Sequence, residues 1–203
     1  MTWIQTFKGH KFNLHGPDPK LIDPEELATV LSRICRFGGH CAKFYSVAQH
    51  SVLVCDLLER PRCEIEHHTP CRDRGDYICP ACKQYESLKL PALLHDAHEA
   101  YWGFGDVCRP AKQLTPEVHR QLKKHATSMD KAIATRFGFY AALFKHDSVT
   151  YADNKALATE ARDLMEAPPC PWEALPPPDK SKIKPWTMKF ARDMFLRRLN
   201  ELM

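Results

Sequence analysis

The sequence predicts an all-α protein folded as a single helical bundle, and three observations carry that prediction. Apolar residues recur at helical spacing nearly throughout. Helix starts are marked by Asp, Ser or Thr with a proline or a partner residue at the right offset. Strand-like alternation is confined to short pieces near residues 3–14. The 203 residues suit one domain, 1–203, with a core of its own.

Taken in order, Asp23-Pro24-Glu25-Glu26 opens the first helix, with an N-cap, a proline at the first helical position and an acid three residues after the cap. Leu27, Val30, Leu31 and Ile34 form its apolar face, and Arg36 follows. The pair Gly38-Gly39 then breaks the helix and lets the backbone bend close to a ligand. Ser46-Val47-Ala48-Gln49 is a second capping box, which puts His50 in the first turn of the next helix. A third helix is expected from near Pro91, carrying His95, Asp96 and Glu99. Thr115-Pro116-Glu117 starts a long helix that closes near Gly138, and Asp147 or Ser148 starts the one bearing Asp153. A proline-rich stretch, Ala167 to Pro178, crosses the surface. The final helix, 187–202, has an apolar stripe of Met188, Phe190, Ala191, Phe195, Leu196 and Leu199.

Residues 59–86 form a cysteine-rich insertion between the second and third helices. Cys79-Pro80-Ala81-Cys82 is a zinc-knuckle half-site, and Cys63 and Cys71, or one of them with His67 or His68, supply the other half. The rest of the segment is charged and buries too little apolar surface to order itself without a staple, which favours a structural zinc. Free thiols in a flexible loop and a redox Cys-x-x-Cys are the competing readings. Nine cysteines, an odd number, without an export signal fit reduced thiols in a cytoplasmic protein better than a disulfide framework. No apolar run spans a membrane. The net charge of +4 suits phosphate-bearing ligands but is too small to argue for nucleic-acid binding.

The chemistry concentrates in His50, His95-Asp96 and Asp153. Imidazole and carboxylate donors together suit a borderline or hard divalent ion, with Co, Mn, Fe, Ni and Zn all compatible. On the expected helix Leu93–Tyr101, Glu99 lies one turn beyond the ligands, placed to orient or deprotonate an attacking water. Arg109 and Lys112 follow Asp106 and can reach a β- or γ-phosphate. Phe37, Tyr45, Trp102 and Phe104 are candidates to stack on a base.

Several stretches together resemble the HD-domain metal-dependent phosphohydrolases. They are Cys35-Arg36-Phe37-Gly38-Gly39-His40, Tyr45 to Ser51, Leu94 to Ala100, Gly105-Asp106-Val107-Cys108-Arg109-Pro110-Ala111-Lys112, and Ala152 to Ala161. The resemblance is to the small nucleotidase branch, with its bacterial 5'-deoxynucleotidases and phage dATP or dNTP triphosphohydrolases. It implies an HD-domain bundle holding one divalent ion on His50, His95, Asp96 and Asp153. It also implies catalytic roles for Glu99 and Asp106, an Arg36 that contacts the phosphate end of the nucleotide, and a base pocket near Phe37 and Gly39. The expected reaction is hydrolysis of a deoxynucleotide at the α-phosphate, as a triphosphohydrolase or as a 5'-deoxynucleotidase. A homo-oligomer, dimer or hexamer, is implied as well. Two other function classes compete: a non-catalytic nucleotide or metal sensor, and a nucleic-acid binder working through the insertion.

Overall fold

The computed structural model describes residues 2–60, 79–170, 172 and 174–203. Its described residues form a mostly helical chain with one two-stranded sheet, as the periodicity predicts. Strands β1 (Trp3–Gln5) and β2 (Lys11–Asn13) pair antiparallel with Ile4 opposite Phe12. The helices are α1 (Pro24–Arg33), α2 (Val47–Asp56), α3 (Pro80–Leu94), α4 (Arg109–Lys112), α5 (Pro116–Phe137), α6 (Asp147–Leu164) and α7 (Met188–Leu202).

Helix α2 is the centre of the fold and packs against α1, α3, α6 and α7. Its sequence shows why. Val47, Ala48, His50, Ser51, Val52, Val54 and Cys55 are all buried, so the helix has hardly any solvent face. Around it the core gathers Leu27, Leu31, Leu93, Leu94, Ile133, Phe195 and Leu199. On α7 the expected stripe buries Ala191, Phe195 and Leu199, while Met188 and Phe190 remain about half exposed.

The helix starts work as the residue types predict, with one difference. Asp23 accepts from the Glu26 N–H, Ser46 from Gln49 and Thr115 from Val118. The reciprocal half of each capping box is absent. The Glu26 carboxylate instead accepts from the Lys8 N–H, and the Gln49 amide bridges Lys184 and Trp186 ahead of α7. Tertiary partners have outcompeted the local ones.

Helix α5 ends at Gly138 with φ 75°. A Cβ there would touch nothing within 4 Å, so Gly138→Ala isolates backbone strain from packing. It is expected to cost about 1 kcal/mol, read as a lower urea midpoint with an unchanged slope.

The third helix is not where the sequence puts it. It begins at Pro80, inside the expected insertion, and ends at Leu94 with Pro91 in its last turn. Proline marks the first helical turn at Pro80, capped by Cys79, and Pro91 is the interior exception. Asp96 leaves helical geometry (φ −106°, ψ 13°), and a 3₁₀ turn, Ala97–Ala100, follows. A continuous helix over 93–101 would point His95 and Asp96 about 100° apart. Leaving the helix between them lets both side chains reach one point. Asp96 and Glu99 still share a face, because a 3₁₀ turn repeats every three residues.

Candidate metal centre

Each imidazole meets both carboxylates. His50 Nε2 lies 3.5 Å from Asp96 Oδ2 and 3.3 Å from Asp153 Oδ1. His95 Nε2 lies 3.2 Å from Asp96 Oδ2 and 3.7 Å from Asp153 Oδ1. The two Nε2 atoms are 3.2 Å apart. Donors sharing one ion at about 2.0–2.2 Å stand roughly 2.8–3.6 Å from each other, so the residues present fit a divalent ion.

The other face of each ring fixes its tautomer. His95 Nδ1 donates to the Ala92 carbonyl at 2.9 Å, and a carbonyl only accepts. His50 Nδ1 donates to Glu160 Oε1 at 2.6 Å. In the neutral rings that a metal would take, the Nε2 lone pairs would therefore face each other and two carboxylate oxygens. Four electron-rich atoms converging on one point repel unless a cation lies between them.

Charges around the site agree. Burial opposes charge on His50, and so does Arg36, yet Glu160, Asp153 and Asp96 hold it well above the ordinary histidine range. Burial also opposes charge on His95, which Asp96 and Asp153 nonetheless raise to about 9. Despite its burial, Asp96 is held well below the usual carboxylate range by His95 and His50. Asp153 is lowered as well, its hydrogen bonds to the two histidines outweighing burial. The negative potential that retains protons here would draw a divalent cation, which displaces them.

Glu160 lacked any role in the sequence reading. It is fully buried, seven residues and two turns beyond Asp153 on α6, and it joins His50 to Arg36 Nη2 at 3.2 Å. That seven-residue spacing, which keeps both acids on one helix face, is the signal that identifies it. Glu160→Gln removes the charge that orients His50. It is expected to weaken metal binding about 10–100-fold, measured by competition with a chromogenic chelator.

Arg36 is buried and tethered. Besides Glu160, its Nη1 lies 3.5 Å from Asp106 Oδ1 and 3.7 Å from Asp96 Oδ2. Phe37 has φ 56°, so the left-handed run begins one residue before the glycine pair. Its N–H donates to Asp106 Oδ2 at 2.8 Å, which offsets the strain. Asp106 thus braces the Arg36 turn as well as facing the site.

Glu99 is 2 % exposed, and neither carboxylate oxygen has a hydrogen-bond partner among the described residues. Burial first, then the charges of Asp96 and Asp106, push its pKa well above the ordinary glutamate value. Lys112 Nζ lies 4.0 Å from Glu99 Oε1. His98, expected to be structural, stands 3.1 Å from Asp130 and edge-on to Trp102.

A cavity of about 570 Å³ opens over Asp96 and Asp153. Arg36, Phe37, Asp106, Arg109 and Lys112 line it as expected, and Arg109 also donates to Asn154. Gly39 is exposed and does not line it; His40 does. Of the four aromatics proposed for base stacking only Phe37 faces the cavity. Tyr45 and Trp102 are consumed by the core, and Phe104 is exposed outside the cavity wall. Trp172, unremarked in the sequence, lines it instead.

Of the four cysteines expected to hold zinc, Cys79 and Cys82 are buried at the start of α3, and Cys63 and Cys71 lie outside the described residues, as do His67 and His68. No helix among the described residues is long and apolar enough to cross a membrane.

No family model matches the chain. It is 30% identical over 143 residues to an uncharacterized protein of Rhodobacter capsulatus, covering 70% of this chain and 61% of that one. It is 32% identical over 205 residues to the uncharacterized protein YfdR of Escherichia coli K12, covering 100% of this chain and 96% of that protein. With that identity sustained from end to end, the chain belongs to the same family as YfdR.

Proposed function

We propose that this protein is an HD-domain metal-dependent phosphohydrolase that cleaves deoxynucleotides at the α-phosphate and releases a deoxynucleoside. The observation that carries the reading is the meeting of two Nε2 atoms, their Nδ1 positions already committed, with Asp96 and Asp153. When bound, a divalent ion there supplies Lewis acidity toward a phosphate oxygen and acidifies water.

The chain's own groups do the rest. Glu99 has a raised proton affinity and no competing hydrogen bond, which suits it to take a proton from the attacking water. Arg36, Arg109 and Lys112 bring positive charge to a cavity that Asp96, Asp106 and Asp153 also line. Asp106 holds the turn that presents Arg36. The two outer cations favour a triphosphate substrate, dATP among them. Hydrolysis of deoxynucleoside monophosphates is the alternative, since the chemistry at phosphorus is the same. A non-catalytic sensor is the weaker reading, because a buried Glu99 without a hydrogen-bond partner among the described residues suits proton transfer. A structural zinc on Cys63, Cys71, Cys79 and Cys82 is part of the same reading, supported by the burial of Cys79 and Cys82 three residues apart.

Chromatographic product analysis tests it. Protein reconstituted with cobalt or manganese is given each dNTP and each dNMP separately. Deoxynucleoside with triphosphate is the expected product pair. Deoxynucleoside with inorganic phosphate, from monophosphates alone, selects the 5'-deoxynucleotidase. Turnover of neither by metal-loaded protein overturns the proposal.

A further inference from the structure

We infer that Trp172 is a specificity-determining residue that stacks on the nucleobase, so that Trp172 and Leu175 build the base subsite. The inference rests on the phosphohydrolase reading and adds to it the part of the substrate that does not react.

The cavity is lined by two chemically different groups of residues: Arg36, Asp96, Asp106 and Asp153 are charged, while Leu157, Met165, Trp172 and Leu175 are apolar. A nucleotide has the same division, with phosphate at one end and a flat, weakly polar ring at the other. The volume of about 570 Å³ suits a small-molecule site.

The apolar wall is held by built anchors. At one foot, the Leu164 carbonyl accepts from the Ala42 N–H at 2.9 Å. At the other, the Asp179 N–H donates to Thr159 Oγ1 at 2.9 Å and the Ile183 N–H to Asp163 Oδ2 at 2.9 Å. Arg162 Nη2 adds a bond to the Ser181 carbonyl at 2.7 Å. Both feet therefore stand on the last turns of α6, the helix that also carries Asp153 and Leu157. Pro176, Pro177 and Pro178 fix φ in the chain just before the second foot.

Trp172 is the aromatic residue of this wall. Its side chain is 40% exposed and belongs to none of the buried core clusters, yet it faces the cavity. A large ring left open at the mouth of a site is a platform for another flat ring. With Tyr45 and Trp102 buried, and Phe104 elsewhere, Phe37 and Trp172 are the Phe, Tyr or Trp rings that line the cavity among the described residues.

The test uses full-length, metal-loaded wild type, Trp172→Ala and Trp172→Phe. The first readout is the ratio of kcat/KM for the preferred deoxynucleotide to kcat/KM for 2-deoxyribose 5-phosphate, which has no base. Trp172→Ala is expected to lower this ratio roughly tenfold to a hundredfold, through KM for the nucleotide, and Trp172→Phe to restore most of it. The second readout is tryptophan fluorescence during titration with deoxyadenosine and deoxycytidine, which carry a base and no phosphate. Quenching in wild type that disappears in Trp172→Phe supports the subsite. An unchanged ratio in Trp172→Ala, including equal losses on both substrates, overturns it. If wild type hydrolyses neither phosphoester, the hydrolase reading fails, and the titration alone decides the subsite, an absent quench overturning it.

Discussion

Asp96→Ala is expected to abolish metal retention and phosphoester hydrolysis together, lowering kcat/KM by at least about a thousandfold. Asp96 Oδ2 is nearer His95 Nε2 than Asp153 Oδ1 is, and it lies within 3.5 Å of His50, so its loss removes one donor from the middle of the set. Two further effects add to that loss. The imidazoles lose the carboxylate that raises their proton affinity, and Arg36 loses one of its three acidic partners. Elemental analysis after gel filtration is the check. An Asp96→Ala protein that keeps a full complement of ion and still turns over would remove Asp96 from the ligand set. His50→Ala is a poorer test, because His50 lies wholly inside the core and its removal leaves a cavity and an unpaired Glu160.

Glu99→Gln is expected to separate activity from stability. It keeps the shape of the side chain and removes its ability to accept a proton, so kcat is expected to fall about 10²–10⁴-fold with metal content unchanged. The same substitution relieves a burden on the fold. A carboxylate 2 % exposed, without a hydrogen-bond partner, is costly to ionise. In the metal-free protein its folded-state pKa stands above the unfolded one, so between those values the folded state binds more protons and stability falls as pH rises. Glu99→Gln lacks that slope. Its thermal midpoint is therefore expected to exceed that of wild type at pH 7, with the gap closing toward pH 4.5. Equal pH dependence in the two proteins would contradict the charge assignment even if kcat fell. Full activity in the glutamine variant would remove Glu99 from proton transfer.

Much of this arrangement is legible in the sequence because it rests on local chemistry. Asp23, Ser46 and Thr115 are side-chain acceptors at helix starts, and each caps as its type predicts. His50 lies on α2 itself, and the helix that leads into His95 and Asp96 and the helix that carries Asp153, α3 and α6, both pack against it. What the sequence hides is non-local. The end of α3 at Leu94 reflects the need for two neighbouring side chains to meet His50, which no window around residue 95 contains. Gln49 and Glu26 abandon their capping partners for chain segments far away in sequence. The burial of Tyr45 and Trp102 depends on which aromatic the core takes, and their local context matches that of an exposed ring. Trp172 stands in a stretch whose composition reads only as a surface crossing, yet it lines the same cavity as Asp153.

The burial of α2 on nearly every side bears on how this protein can change over evolutionary time. Residues that line an exposed cleft are free to drift once a reaction is no longer under selection. His50 has no such freedom, for its neighbours Val47, Ala48, Ser51 and Val54 are the same residues that close the core. A descendant that discarded the reaction would have to replace a histidine, its buried glutamate and the arginine beyond it in concert, or lose the fold. Inheritance of the architecture therefore carries His50 along with it.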